Sequence, residues 1–158
     1  MDESVVEKAI IQLSEAGMVH PGELKGCTPS EIGQIESTFQ LQLPTIYKEF
    51  MARMGKAAGH FLVGSDYLFP APLRLRRDAE LLLKQSGVKF RFDRNHFVFL
   101  GHQGYEFLFF DAREPQDPAI FLLMEGEEPK QVLPHFSEWL LSCIADEIEA
   151  FRTLHGRR

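Results

Sequence analysis

Histidine, cysteine and paired carboxylates are the residues of this chain best suited to chemistry, and their spacing argues against catalysis. The six histidines, His20, His60, His96, His102, His135 and His155, are scattered. No pair stands at His-x-x-x-His spacing and no Cys-x-x-Cys occurs, so the pattern offers no structural metal site. His96 and His102 flank one apolar stretch and meet only if it bends sharply. There is no Gly-x-Ser-x-Gly elbow for a nucleophilic serine. Cys27 stands just before a helix start, where the dipole lowers a thiol pKa. A small apolar filler beside the cap is the simpler reading. Cys143 lies on an apolar helical stripe and reads as core.

Nucleotide chemistry fares no better. Gly55-Lys56-Ala57-Ala58-Gly59 is glycine-rich, yet it lacks the Gly-Lys-Ser/Thr ending of a phosphate-binding loop and follows a helix, not a strand. It reads as a connection. Phe90, Phe92 and Phe97 interleave with Lys89, Arg91 and Arg94, a mixture that can bind single-stranded nucleic acid. Phenylalanine at alternate positions is more simply a strand face turned to the core, and direct nucleic-acid binding is not expected. Glu127-Glu128 falls in a turn, without the apolar surroundings that tune a carboxyl as an acid. The expectation is a chain with no catalytic residue, no cofactor and no metal.

Charge points instead to a partner. Net charge is −6 over 158 residues, with a pI near 5.5, whereas nucleic-acid binders usually carry a basic excess. The distribution is uneven. Leu73 to His96 holds seven bases against three acids, and Glu114 to Ala150 holds nine acids against one base, Lys130. Such stretches are commonly solvated faces. An acidic half also steers a basic partner toward it. The candidate partner-binding residues are Glu125, Glu127 and Glu128 in a strand-to-strand turn, together with Glu106 and Asp111.

These residues need elements to position them. Ser4-Val5-Val6-Glu7 reads as a capping box, followed by the helical stripe Val6, Ala9, Ile10 and Leu13. Thr28, Pro29 and Glu31 open a second helix as N-cap, first residue and box partner. Pro44 restarts the pattern for a third, with Ile46, Tyr47, Phe50, Met51 and Met54 inward, ending near Gly55. Phe61-Leu62-Val63 and Tyr67-Leu68-Phe69 suggest short strands. Leu75, Ala79, Leu82 and Leu83 mark a helix before Gly87. Phe97–Leu100 and Tyr105–Phe110, joined by Gly101-His102-Gln103-Gly104, read as a β-hairpin. Ala119–Met124 is a further strand, and Gln131–Leu133 pairs back to it. Phe136 to Leu154 forms the last helix, with Trp139, Leu140, Cys143, Ile144, Ile148 and Phe151 on one stripe.

Consecutive strands enclosed by helices argue for an α+β fold with a mostly antiparallel sheet wrapped by N-terminal and C-terminal helices. The length fits a single domain over 1–158 with a core of its own. No apolar run reaches the roughly 18 residues needed to cross a bilayer, so no membrane role is expected. Met1-Asp2-Glu3 is acidic, unlike a secretory signal, and the two cysteines then read as reduced thiols in a cytoplasm. Gly156-Arg157-Arg158 is expected to fray.

Several stretches together resemble one family. They are Thr28-Pro29-Ser30-Glu31-Ile32, then Leu41-Gln42-Leu43-Pro44 with Tyr47-Lys48-Glu49-Phe50, then Gly104 through Asp111, then Phe136-Ser137-Glu138-Trp139-Leu140. Their order is similar to the SUKH superfamily, the Smi/Knr-type domain, over about residues 25–150, leaving residues 1–20 as a helical extension. The resemblance implies an α+β fold with no catalytic residue. It also implies binding activities: in bacteria, immunity proteins that neutralise a toxin, and in fungi, cell-wall signalling scaffolds. The first of these makes a toxin or nuclease domain the expected partner, and the alternative is a general interaction module. The chain differs from the family at Met54-Gly55, where Asn-Gly is common. It differs again at His135, where a Ser or Thr usually caps the last helix, an exchange expected to weaken that cap by about 1 kcal/mol.

Overall fold

The structure, a computed structural model, describes residues 3–156. The acidic start at Met1-Asp2 and the frayed end expected at Arg157-Arg158 lie outside the described residues. Among the described residues, five α-helices and two antiparallel sheets make up the α+β fold. The helices are α1 (Val5–Glu15), α2 (Pro29–Phe39), α3 (Thr45–Met54), α4 (Leu75–Ser86) and α5 (Phe136–His155). The small sheet pairs β1 (Leu24–Lys25) with β2 (Ala57–Ala58). The main sheet runs in chain order through β3 (Ser65–Asp66), β4 (His96–His102), β5 (Glu106–Asp111), β6 (Ile120–Met124) and β7 (Lys130–Leu133).

The helix starts follow local chemistry. At α2 the Thr28 hydroxyl accepts from the Glu31 N–H while the Glu31 carboxylate accepts from the Thr28 N–H, a complete capping box. At α1 only half of the expected box forms. The Ser4 hydroxyl accepts from the Glu7 N–H, but the Glu7 carboxylate turns outward to Arg53 of α3. The acid therefore ties two helices together instead of closing its own turn.

The sheet is buried on both faces. Four consecutive residues of β4, Phe97 to Leu100, are all buried, which a strand with one wet face cannot do. One face carries Phe97, Phe99, Phe110 and Ile120 against α1, α3 and α5. The other carries Val98, Phe107, Phe109 and Leu123 against α4, whose Leu75, Ala79, Leu82 and Leu83 point down. The sheet is thus covered by a mid-chain helix as well as by the terminal ones. Side-chain alternation lets β4 serve both cores, and a register shift between Val98 and Leu100 accompanies the placing of both Phe99 and Leu100 in the first. The first core is aromatic: Tyr47 meets Phe97, Phe110 and Phe136 edge-on, with centroids 5.3, 5.4 and 6.0 Å apart.

The strands expected at Phe61–Val63 and Tyr67–Phe69 do not form. Leu62 takes a φ of 52° and Gly64 one of 96°, which curls the first run into turns. Tyr67 is buried and its hydroxyl donates to the Phe61 carbonyl at 2.7 Å, closing the curl. Only Ser65–Asp66 remains extended, as the edge strand β3. The glycine-rich stretch at 55–59 is likewise pinned. Ala57–Ala58 is β2, and a Cβ on Gly55 would meet the Met51 carbonyl oxygen at 2.5 Å and the Cys27 sulfur at 2.9 Å. Glycine is required there by close approach, with Met54 fully buried beside it.

Candidate protein-interaction surface

Four of the five carboxylates singled out in the sequence gather at one end of the main sheet. In the β4–β5 hairpin His102 pairs with Glu106, and Gln103 and Gly104 turn the chain at φ values of 53° and 78°. Glu106 in turn pairs with Met124 of β6. The next residue, Glu125, donates its N–H to the Tyr105 carbonyl at 3.0 Å. That bond ties the β6–β7 turn to the hairpin, so Glu125, Glu127 and Glu128 project beside Glu106. Those three are exposed and Glu106 is half-buried. None of the four makes an ion pair among the described residues.

Asp111 does not join them. It ends β5 at the opposite end of the strand from Glu106, where Arg113 grips it through Nε at 3.1 Å and Nη2 at 2.6 Å. That guanidinium holds the Asp111 carboxyl below its ordinary range, and it also stands 3.7 Å from Asp93. Ligand atoms of Asp93, His96 and Asp111 lie within 4.8 Å of one another, a grouping that scattered sequence positions did not reveal. Arg113 supplies the positive charge there, and the Nδ1 of His96 already accepts the Asp93 N–H at 3.0 Å. These partners make the cluster a fastening for the loop before β4.

The acidic end also carries apolar side chains that charge counting passed over. Tyr105 is 38% exposed beside His102, at 6.0 Å between rings. Val63 is 76% exposed in the turn before β3, whose Ser65 pairs with His102 and so brings Val63 to the same end. An aromatic residue directly after the Gln103-Gly104 turn was the available signal for Tyr105. A tyrosine with an aliphatic neighbour and a charged margin has the make-up of a binding anchor with a polar rim.

Both cysteines are held as protonated thiols at neutral pH. Burial pushes the Cys27 pKa up to about 11, with Glu31 adding to the rise and Lys56 opposing it. Burial likewise pushes Cys143 to about 12. No helix among the described residues is long and apolar enough to cross a membrane.

A search of curated proteins finds no match to the chain. The family model described as the SMI1 / KNR4 family (SUKH-1) matches residues 26–142, which takes in everything from the α2 cap to the first third of α5. With well over half of its length matched, the chain belongs to the SMI1 / KNR4 family (SUKH-1).

Proposed function

We propose that this protein is a binding domain that neutralises a partner by covering it, and that the partner is a toxin domain with a basic working surface, such as a nuclease. Family membership supports protein interaction. The observation that carries the finer reading is the acidic end of the sheet. Glu106, Glu125, Glu127 and Glu128 stand there without cationic partners among the described residues, around exposed Tyr105. Carboxylates so placed raise the association rate toward a basic surface, and a central tyrosine supplies contact area once docked. The protein acts by occlusion, without catalysis, inside the cell that makes both partners.

The test uses the protein with Glu125, Glu127 and Glu128 all changed to Lys. Exposed charges contribute little to stability, so the variant keeps its melt. The parent, coexpressed with a toxin nuclease domain that it binds, restores growth, and the variant fails to. In purified components the variant associates more slowly at low salt and loses the salt dependence of the parent. Equal association rates for parent and variant at low salt would remove the acidic end from the interface. Binding without rescue of growth would make the domain a general interaction module.

A further inference from the structure

A second surface has the opposite character. Between α4 and the segment that follows it lies an open groove of about 690 Å³. Its floor is apolar, from Leu83, Val88, Phe90 and Phe92. Its rims carry Lys84, Lys89 and Arg91, none of which makes an ion pair among the described residues. Arg76 and Glu80, at the far end, neutralise each other at 2.8 Å. The free charge of the groove is therefore positive in a protein whose net charge is −6.

The 88–92 segment has an unusual backbone. Its residues alternate between half-buried (Val88, Phe90, Phe92) and exposed (Lys89, Arg91), the period of a strand. Yet it belongs to no sheet, and none of its main-chain groups bonds to another main-chain group among the described residues. The Phe92 carbonyl meets only the Arg76 side chain, at 3.4 Å. Main-chain donors and acceptors left open along a run with strand-like alternation are a template for another chain.

We propose that this groove is a second recognition site, which takes an extended acidic peptide segment of a partner protein, with one apolar side chain set into the floor. Charge complementarity selects the acidic partner, and the open backbone of 88–92 selects an extended one. The two phenylalanines argue against nucleic acid. Arg76 covers the Phe92 ring at 5.7 Å, and Phe90 packs edge-on to Phe92 at 5.3 Å and against Phe109 at 5.9 Å. Rings wedged in this way serve as floor and make poor platforms for stacking bases. The site is independent of the acidic end and does not depend on the partner taken there.

The experiment titrates the whole protein into fluorescein-labelled peptides of about nine residues, read by anisotropy. One peptide is Asp/Glu throughout with a central Leu, a second replaces Leu by Ala, and a third replaces the acids by Lys. The first binds best, the second several-fold more weakly, and the third not at all. Raising salt from about 50 to 300 mM weakens the first peptide about tenfold. Lys84→Glu combined with Arg91→Glu abolishes its binding with an unchanged melt, whereas the Glu125, Glu127 and Glu128 reversals leave it intact. Amide shifts in a labelled sample fall on residues 84–92. No binding of the acidic peptide, or binding untouched by the double reversal, overturns the proposal. An oligothymidine that binds the groove more tightly than the peptide also overturns it, in favour of a nucleic-acid face.

Discussion

The carboxylate of Asp117 accepts hydrogen bonds from both the main-chain N–H and the hydroxyl of Ser137, at 2.9 and 2.6 Å. Asp117 belongs to the β5–β6 loop, and Ser137 is in the first turn of α5. The helix is thus capped from a distant loop, where a Ser or Thr at position 135 would cap it locally. His135 makes no side-chain cap, and its Nδ1 instead donates to the Asp117 carbonyl at 3.0 Å. The weakening expected from His135 is offset by this acid, because the orphan N–H has a charged acceptor. Asp117→Ala should destabilise the protein by about 1–2 kcal/mol, with Asn at the same position costing less. Urea unfolding measures this. An Ala variant with the parent's midpoint would show that the cap contributes nothing.

Trp139, 7% exposed, lies two residues further along α5, with ring centroids 5.1 Å from Phe99 and 5.2 Å from Phe136. It joins the last helix to the centre of the sheet. Trp139→Ala should cost about 3–5 kcal/mol through the cavity it leaves. Leu154→Ala, on the same helix but 79% exposed, should change the midpoint little. Similar losses from both would mean that α5 is not docked through this face.

Where local chemistry dictates structure, the sequence was legible. Thr28, Pro29 and Glu31 announce α2, Pro44 and Gly55 bracket α3, and of the turn expected at Gly101–Gly104 the Gln103-Gly104 half reverses the hairpin while Gly101 and His102 extend β4. Where tertiary contacts decide, it misled. Phe61–Val63 has the apolar run of a strand but is curled by the Tyr67 hydroxyl and by positive φ at Leu62 and Gly64. The acidic turn could be read because exposed charge in a turn needs no partner to be recognised. Register separates Asp111 from it, since β5 holds Glu106 at one end and Asp111 at the other. The basic groove depends on 88–92 lying alongside α4, a packing relation that no sequence spacing encodes.

His96 makes stability depend on pH. Its Nδ1 accepts the Asp93 N–H, which requires the neutral ring. Burial against Phe90, Phe92 and Phe109 pushes its pKa below the ordinary 6.5; Asp93 and Asp111 raise it in part, and Arg76 and Arg113 add to the fall. The unfolded chain then binds the proton before the folded one does. Its contribution is fully present above pH 6.5 and is lost as pH falls through the lowered folded value. His135 acts in the opposite sense: the Asp117 carbonyl bond chiefly raises its pKa, so its contribution is present below 6.5 and fades as pH rises. Urea midpoints of the parent and of His96→Asn at pH 7 and pH 5 isolate the first effect. The parent should lose more stability between the two pH values than the variant does. Equal losses would show that His96 does not titrate in this range.

Tyr47 and Tyr67 form a contrasting pair. Both are buried, and burial drives both phenol pKa values up, yet only Tyr67 has a hydrogen-bond partner, the Phe61 carbonyl. The Tyr47 hydroxyl has none among the described residues, although its ring is packed edge-on by Phe97, Phe110 and Phe136. An unsatisfied buried hydroxyl opposes folding by roughly 1–3 kcal/mol, while its ring contributes as an ordinary aromatic. Tyr47→Phe keeps the ring and removes the burden, so it should leave stability unchanged or raise it by about 1 kcal/mol. Tyr67→Phe strands the Phe61 carbonyl and should cost about 1–2 kcal/mol. The two variants differ from the parent by one oxygen each, and urea midpoints compare them directly. A loss at Tyr47 as large as that at Tyr67 would show that its hydroxyl is hydrogen-bonded in solution.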